Sequence, residues 1–182
     1  MSLFKTVTTP CPSCSAPNSF DLVHSVNADR RPDLRAQILA RSFQEQRCSA
    51  CGHPFRVEPE FTYVHNGGRL WLAVWPASRL AAWAECEGRS RKAFDTFYGA
   101  QASPAAQVIG RELRARVAFG WEATHEKIVV MEAGIDDVTL ELAKVTLLRE
   151  VDGLGPQEDR EIRLLGVDAQ QRLVLGLFET GS

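Results

Sequence analysis

Apolar residues alternate with polar ones in some stretches of the chain and recur at helical spacing in others. Residues 19–26 place Phe20, Leu22 and His24 on one face, which predicts a strand. Leu3 and Val7 alternate more weakly and predict a short strand before it. Residues 55–58 and 61–65 read as strand interrupted at Pro59. Asn66-Gly67-Gly68 predicts a hairpin turn, and residues 70–75 the returning strand, apolar at every position and therefore expected to be buried on both faces.

Helical spacing begins after Pro32, where Leu34, Ile38 and Leu39 form a stripe flanked by Ala36 and Ala40. Residues 78–87 predict a helix between Ser78 as cap and Gly88 as stop, with Trp83 assigned to the core. Phe94, Phe97 and Tyr98 follow at helical spacing and read as packing rather than as a stacking platform for bases. Ser103-Pro104 opens a helix through Val108, Ile109 and Leu113, and Ala115, Val117 and Phe119 then alternate as a short strand.

Residues 121–133 are ambiguous. Ile128-Val129-Val130 favours strand, whereas Glu122, Glu126, Lys127 and the stop at Gly134 favour helix. Asp136 or Asp137 caps a following helix with Leu140, Ala143, Leu147, Leu148 and Val151 on one side. Val138, Leu142 and Val145 add more apolar surface than one buried face requires, while Glu122, Glu126, Glu132, Glu141 and Glu150 are expected on the exposed side. Residues 161–167 and 172–178 predict a hairpin around Asp168-Ala169-Gln170-Gln171.

The cysteines change the picture most. Cys11-Pro12-Ser13-Cys14 and Cys48-Ser49-Ala50-Cys51 are two Cys-x-x-Cys pairs with 33 residues between them. Each spacing lets a tight turn aim two sulfurs at one point, and four thiolates suit a closed tetrahedral site for Zn²⁺. Gly52 supplies the residue that such a turn needs at positive φ; Ser15 stands at that place in the first. A redox pair is disfavoured, because Ser15-Ala16-Pro17-Asn18 is turn chemistry rather than the start of a helix. Iron suits the same four sulfurs, and zinc ranks first because nothing else in the sequence points to electron transfer. His24 is read as a half-buried strand residue and Cys86 as a small buried apolar one.

Charged residues at 24% and hydrophobic ones at 45% describe an ordinary globular chain without a membrane span. The N-terminus Met1-Ser2-Leu3-Phe4-Lys5 has no long apolar run, so a secreted disulfide framework is disfavoured and a cytoplasmic location is expected. Residues 1–120 carry a net charge of +5 and residues 121–182 a net of −7, for −2 in all. An overall acidic balance argues against a general nucleic-acid binder, although Arg30, Arg31, Arg35, Arg41 and Arg47 make the first helical insert basic. That insert reads first as a solvated helix face.

Several stretches together resemble the CpXC-domain family of bacterial and archaeal proteins. They are Cys11 to Cys14, Val26-Asn27 before Pro32-Asp33-Leu34, Cys48 to Gly52, and Leu72-Ala73-Val74-Trp75-Pro76. Glu126-Lys127-Ile128 and Glu132-Ala133-Gly134-Ile135-Asp136-Asp137 extend the likeness, which covers most of residues 10–150. The resemblance implies metal binding by Cys11, Cys14, Cys48 and Cys51 and a helical 121–133; it implies no activity.

The expected architecture is α+β: a zinc-ribbon-like N-terminal module with a helical insert, an antiparallel sheet, a helical C-terminal part and a terminal β-hairpin. Its expected division is residues 1–76 and 77–182, packed on one sheet as one compact unit. The expected role is a non-catalytic, zinc-binding protein that works through a protein partner or self-association, with no membrane contact. Nucleic-acid binding through the arginine-bearing insert is the second reading. An enzyme built on Asp136, Asp137 and His125 is the third, weakened because paired aspartates at a helix start are usually caps.

Overall fold

Leu3–Pro10 (β1) and Pro17–Asn27 (β2) form an antiparallel hairpin whose tip carries the first cysteine pair. In the computed structural model of the chain, residues 2–150 and 160–179 are described. After β2 the chain turns through a short helix, Pro32–Leu39 (α1), which buries Leu34 and Ile38. Glu45–Arg47 (β3) and Pro54–Arg56 (β4) then make a second, smaller hairpin, with the second cysteine pair at its tip.

Phe61–His65 (β5), Leu70–Trp75 (β6) and Arg114–Phe119 (β7) complete a five-stranded sheet of order β1-β2-β5-β6-β7. The sheet is mixed, not antiparallel as the sequence pattern suggested. β5 lies parallel to β2 and β7 parallel to β6, while β5 and β6 are antiparallel. The reason is the connections: α1 with the β3–β4 hairpin, and the helices after β6, are long enough to carry the chain back to the same end of the sheet.

All six positions of β6 are buried, as its unbroken apolar run predicts. The turn before it is held by Asp29, whose carboxylate accepts from the Asn66 and Gly67 amides at 2.7 and 3.0 Å. Burial works against the charge of that carboxyl, but the two amides and His65 hold it below the ordinary carboxylate range.

A 3₁₀ segment, Ala77–Ala82, leads into a 16-residue helix, Trp83–Tyr98 (α2). Gly88 does not stop this helix. It lies in open space on the helix surface, and the stop is Gly99, where a Cβ would meet the Asp95 carbonyl at 2.5 Å. Cys86 is fully buried against β6 with Trp71, Ala73 and Trp75. The Trp75 indole donates to Ser90 at 2.9 Å, and the Ser90 hydroxyl donates to the Cys86 carbonyl at 2.7 Å. Trp83 is 58% exposed rather than core: it shares the helix face of Cys86 and Ser90 but is the first residue of α2, at the open end of that face. Phe94 and Tyr98 pack as expected, and Phe97 is exposed. Ser103 caps Pro104–Glu112 (α3) by accepting from the Ala106 amide.

The chain separates into two compact units, Met1–Trp121 and Glu122–Ser182. Gly120–Glu132 (α4) is helical throughout, and Asp137–Glu150 (α5) follows. Arg160–Val167 (β8) and Leu173–Glu179 (β9) form the terminal hairpin. In the second unit Val130, Leu140 and Leu164 make a small core with Val129, Ile135 and Leu175 beside it. Val151, expected on the stripe of α5, lies outside the described residues.

Glu126 is buried, not on an exposed acidic face. Its carboxylate accepts from Lys144 Nζ at 3.0 Å, Arg163 Nη1 at 3.1 Å and the Leu164 amide at 2.6 Å. No helix among the described residues is long and apolar enough to cross a membrane.

Candidate metal centre

Each cysteine pair sits in a tight turn that closes on itself. In the first, the Ser15 amide donates to the Cys11 carbonyl at 2.9 Å and the Cys11 amide to Ala16 at 2.8 Å. In the second, the Gly52 amide donates to Cys48 at 2.9 Å and the Cys48 amide to His53 at 3.0 Å. Ser15 and Gly52 occupy the same place with φ of 60° and 73°. The first turn therefore reaches the glycine geometry with a serine, at the cost of left-handed backbone that side-chain-bearing residues seldom adopt.

The two turns bring Cys11, Cys14, Cys48 and Cys51 together, with all four sulfurs within 4.8 Å of one another. Across the turns, Cys11 and Cys51 Sγ lie 3.8 Å apart, and Cys14 and Cys48 Sγ 3.6 Å. Such separations are far from a disulfide bond of about 2.05 Å. They match a tetrahedron of thiolates around one ion, since metal–sulfur bonds of about 2.3 Å place sulfurs about 3.8 Å apart. The four residues thus fit a metal ion. Cys11 and Cys48 are buried and Cys14 and Cys51 exposed, so the cluster has one inner and one outer sulfur from each turn.

The electrostatics are uneven. The Cys51 amide, working against desolvation and helped by the Ala50 amide and Asn18, lowers the Cys48 thiol to about 6. The Ala16 amide pulls Cys14 down, but the Cys51 and Cys48 sulfurs and desolvation push it up to about 12. One thiolate is thus prepared at neutral pH, whereas a full set of four needs a cation to offset mutual repulsion.

Two buried amide side chains hold the hairpins in this register. Asn18, 7% exposed, donates through Nδ2 to the Ala16 carbonyl at 2.8 Å and to Cys48 Sγ at 3.6 Å. Its Oδ1 accepts from the Ser49 amide at 3.0 Å, so one side chain bridges both turns. Gln44 accepts from the Val23 amide and donates to the Asp21 carbonyl, standing in for a neighbouring strand along β2. Below them Trp121 packs on Phe43 and Phe61, with Arg56 over its ring at 4.4 Å and its indole donating to Val57. Sequence reasoning missed Asn18 and Gln44. Only their polarity at strand-adjacent positions hinted at a partner.

Other candidates do not gather here. His24 is exposed on β2, a correction to its expected half-buried place, and it is not part of the cluster. Asp136 caps α5 by accepting from the Thr139 amide at 2.8 Å. Asp137 pairs with Lys127 at 2.6 Å instead of facing a substrate cavity. In the arginine-bearing insert, Arg31 forms a two-pronged pair with Asp33.

Two hairpin tips that deliver four cysteine sulfurs to one tetrahedral point define a class of protein with a closed, metal-compatible thiol cluster. Within that class, the family model described as CpXC protein matches residues 9–144. The chain belongs to the CpXC family. Comparison with curated proteins and with solved structures returned no match.

Proposed function

We propose that this CpXC protein binds one zinc ion through Cys11, Cys14, Cys48 and Cys51 and uses it as a structural staple, in the manner of a zinc ribbon. The observation that carries this reading is the closed cluster: four sulfurs within 4.8 Å leave no coordination position for a substrate water. Zinc is favoured over iron because no other motif of the sequence points to electron transfer. Cobalt substitution tests it. A tetrahedral four-thiolate spectrum that azide leaves unchanged supports the reading, and a spectrum that shifts with azide contradicts it.

The stapled protein acts through contacts with other proteins or with itself, and not by catalysis. Support comes from unspent apolar surface. Val138, Leu142 and Val145 are 56%, 64% and 44% exposed along α5, and Trp83 and Phe97 are exposed on α2. A homo-oligomeric contact on α5 is tested by light scattering. A wild-type dimer that Val138→Glu/Val145→Glu dissociates supports it, and a wild-type monomer across micromolar concentrations removes it. Nucleic-acid binding remains second, since the chain carries a net charge of −2 and Arg31 of the insert is engaged by Asp33.

A further inference from the structure

Each exposed sulfur of the cysteine cluster has a buried partner in the opposite turn. Cys14, exposed, lies 3.6 Å from buried Cys48, and Cys51, exposed, lies 3.8 Å from buried Cys11. Both buried sulfurs are oriented by N–H donors of the chain. The Ser13 amide donates to Cys11 Sγ at 3.4 Å, and Asn18 Nδ2 to Cys48 Sγ at 3.6 Å. The fifth cysteine, Cys86, is fully buried in the packing of α2 on β6 and belongs to neither pair.

An oxidant arriving from solvent meets Cys14 and Cys51 first, and oxidation of cysteine follows exposure. Closing either pair to a disulfide of about 2.05 Å brings its sulfurs nearer by less than about 2 Å. The pairing then decides what becomes of the hairpins. Links within a turn, Cys11–Cys14 and Cys48–Cys51, leave the β1–β2 hairpin unconnected to the β3–β4 hairpin. Links across the turns join residues 34 and 40 apart in sequence and constrain the chain far more than a Cys-x-x-Cys loop. They also tie the same two tips that a shared metal ion ties.

We propose that the cysteine centre is a site of reversible oxidation by hydroperoxides, in which Cys14 pairs with Cys48 and Cys51 with Cys11. Two cross-turn disulfides then replace the metal ion as the staple. In each pair the exposed thiolate attacks the O–O bond and takes the terminal hydroxyl, becoming a sulfenic acid. The departing alkoxide, or hydroxide from hydrogen peroxide, takes a proton from solvent. The buried thiolate of the opposite turn attacks the sulfenic sulfur, which forms the S–S bond and expels hydroxide, protonated to water. Each disulfide removes two electrons from two sulfurs and reduces one hydroperoxide. The complete centre therefore consumes two hydroperoxides and releases its ion as the four thiolates are used. A dithiol reductant returns the four thiols. This rests on the metal staple proposed above and gives its ligands a second state.

The test uses the full chain, reduced and loaded with one equivalent of zinc, and titrated with hydrogen peroxide. A chromogenic chelator should record release of the ion in step with the loss of four thiols, complete at about two equivalents of peroxide. After alkylation and tryptic digestion, peptides 6–30 and 48–56 should be recovered as one linked species. Fragmentation should assign Cys14–Cys48 and Cys11–Cys51, with Cys86 alkylated. On heating, the oxidised chain should unfold later than the reduced, metal-free chain. Two separate peptides with a disulfide inside each turn would overturn the proposal. So would Cys11–Cys48 with Cys14–Cys51, a link to Cys86, sulfinic acid in place of disulfides, or zinc retained with its thiols intact.

The same map made on the metal-free chain separates this from the staple reading. A reduced chain that binds no zinc but forms the cross-turn pairs removes the staple and keeps the oxidation site. A chain that holds zinc yet pairs within its turns keeps the staple and removes the oxidation site.

Discussion

In residues 1–121 the ionisable groups at the structural centre are sulfurs gathered at two hairpin tips. In residues 122–182 they are the Glu126 carboxylate, the Lys144 ammonium and the Arg163 guanidinium, drawn from α4, α5 and β8. The first arrangement, once its four thiols are ionised, has among the described residues no cation of its own beside the sulfurs to offset the charge. The second neutralises itself, with Lys144 also on Glu141 at 2.8 Å and Arg163 also on Glu161 at 2.6 Å. The two differ in what they tolerate. A thiol cluster without a metal retains its free cysteines and repels itself once ionised, whereas a carboxylate that loses its cations is left as an uncompensated buried charge.

Removing a sulfur should have the largest effect. Cys11→Ser or Cys48→Ser should abolish zinc binding and loosen both cysteine-bearing hairpins, because structural zinc contributes about 10–16 kcal/mol of apparent binding free energy in small modules. Elemental analysis and thermal unfolding would read this, with Cys86→Ser as the comparison. Cys86 lies in the apolar packing of α2 on β6, so that variant should keep its zinc and unfold only slightly earlier. Equal zinc loss from all three variants would show that the ligand set is wrong.

Glu126→Ala should come next. It leaves Lys144 and Arg163 facing a void in the second unit, and removing one partner of a buried pair costs about 3–5 kcal/mol. Urea unfolding should show the loss while zinc content stays unchanged. A variant as stable as wild type would mean that the charge network contributes nothing to the unit.

A smaller effect belongs to Asn18→Ala, which removes the side chain bridging the two turns and its hydrogen bond to Cys48 Sγ while leaving all four cysteines in place. Outer partners of metal ligands typically tune affinity by about 10–100-fold, and zinc competition with a chromogenic chelator should find a loss in that range. An unchanged affinity would assign the register of the hairpins to Gln44 and the aromatic packing instead.

The smallest effect is one of pH. Burial opposes the charge of Glu141, but Lys127 and Lys144 hold its carboxyl below the ordinary value of 4.5. Its contribution is therefore present above pH 4.5 and lost as pH falls through the lowered value. Burial opposes Lys127 as well, and Asp137 with Glu141 raises it above 10.5. That contribution is complete below pH 10.5 and lost as pH rises through the raised value. Unfolding curves for wild type and Glu141→Gln should converge in acid and separate at neutral pH. A constant gap across that range would rule out this linkage.

The same comparison explains what the sequence could tell. The sulfurs were legible because their chemistry is written in short spacing: Cys-x-x-Cys is a local geometric statement, and two of them make a tetrahedral set once the hairpins bring them together. The strand β6 was legible for a similar reason, since six consecutive apolar residues admit burial on both faces. Glu126 was not. Its partners lie 18 and 37 residues away, and on a helix with apolar neighbours it looks like any solvated glutamate.

Long helical connections likewise concealed the parallel pairing of β2 with β5 and of β6 with β7, because strand direction depends on what is crossed rather than on the strands. Gly88 misled because an isolated glycine on an open helix surface is tolerated, while Gly99 carries the steric reason to stop. Trp83 misled because size alone suggests core. Asn18 and Gln44 had no motif, only polar side chains whose partners appear once two hairpins are brought together.

X-ray absorption at the zinc edge tests the central claim most directly. Loaded with one equivalent of zinc, the protein should show a first shell of four sulfurs at about 2.3 Å and no lighter neighbour. A shell containing nitrogen or oxygen would contradict the closed four-cysteine staple and open the site to a bound water.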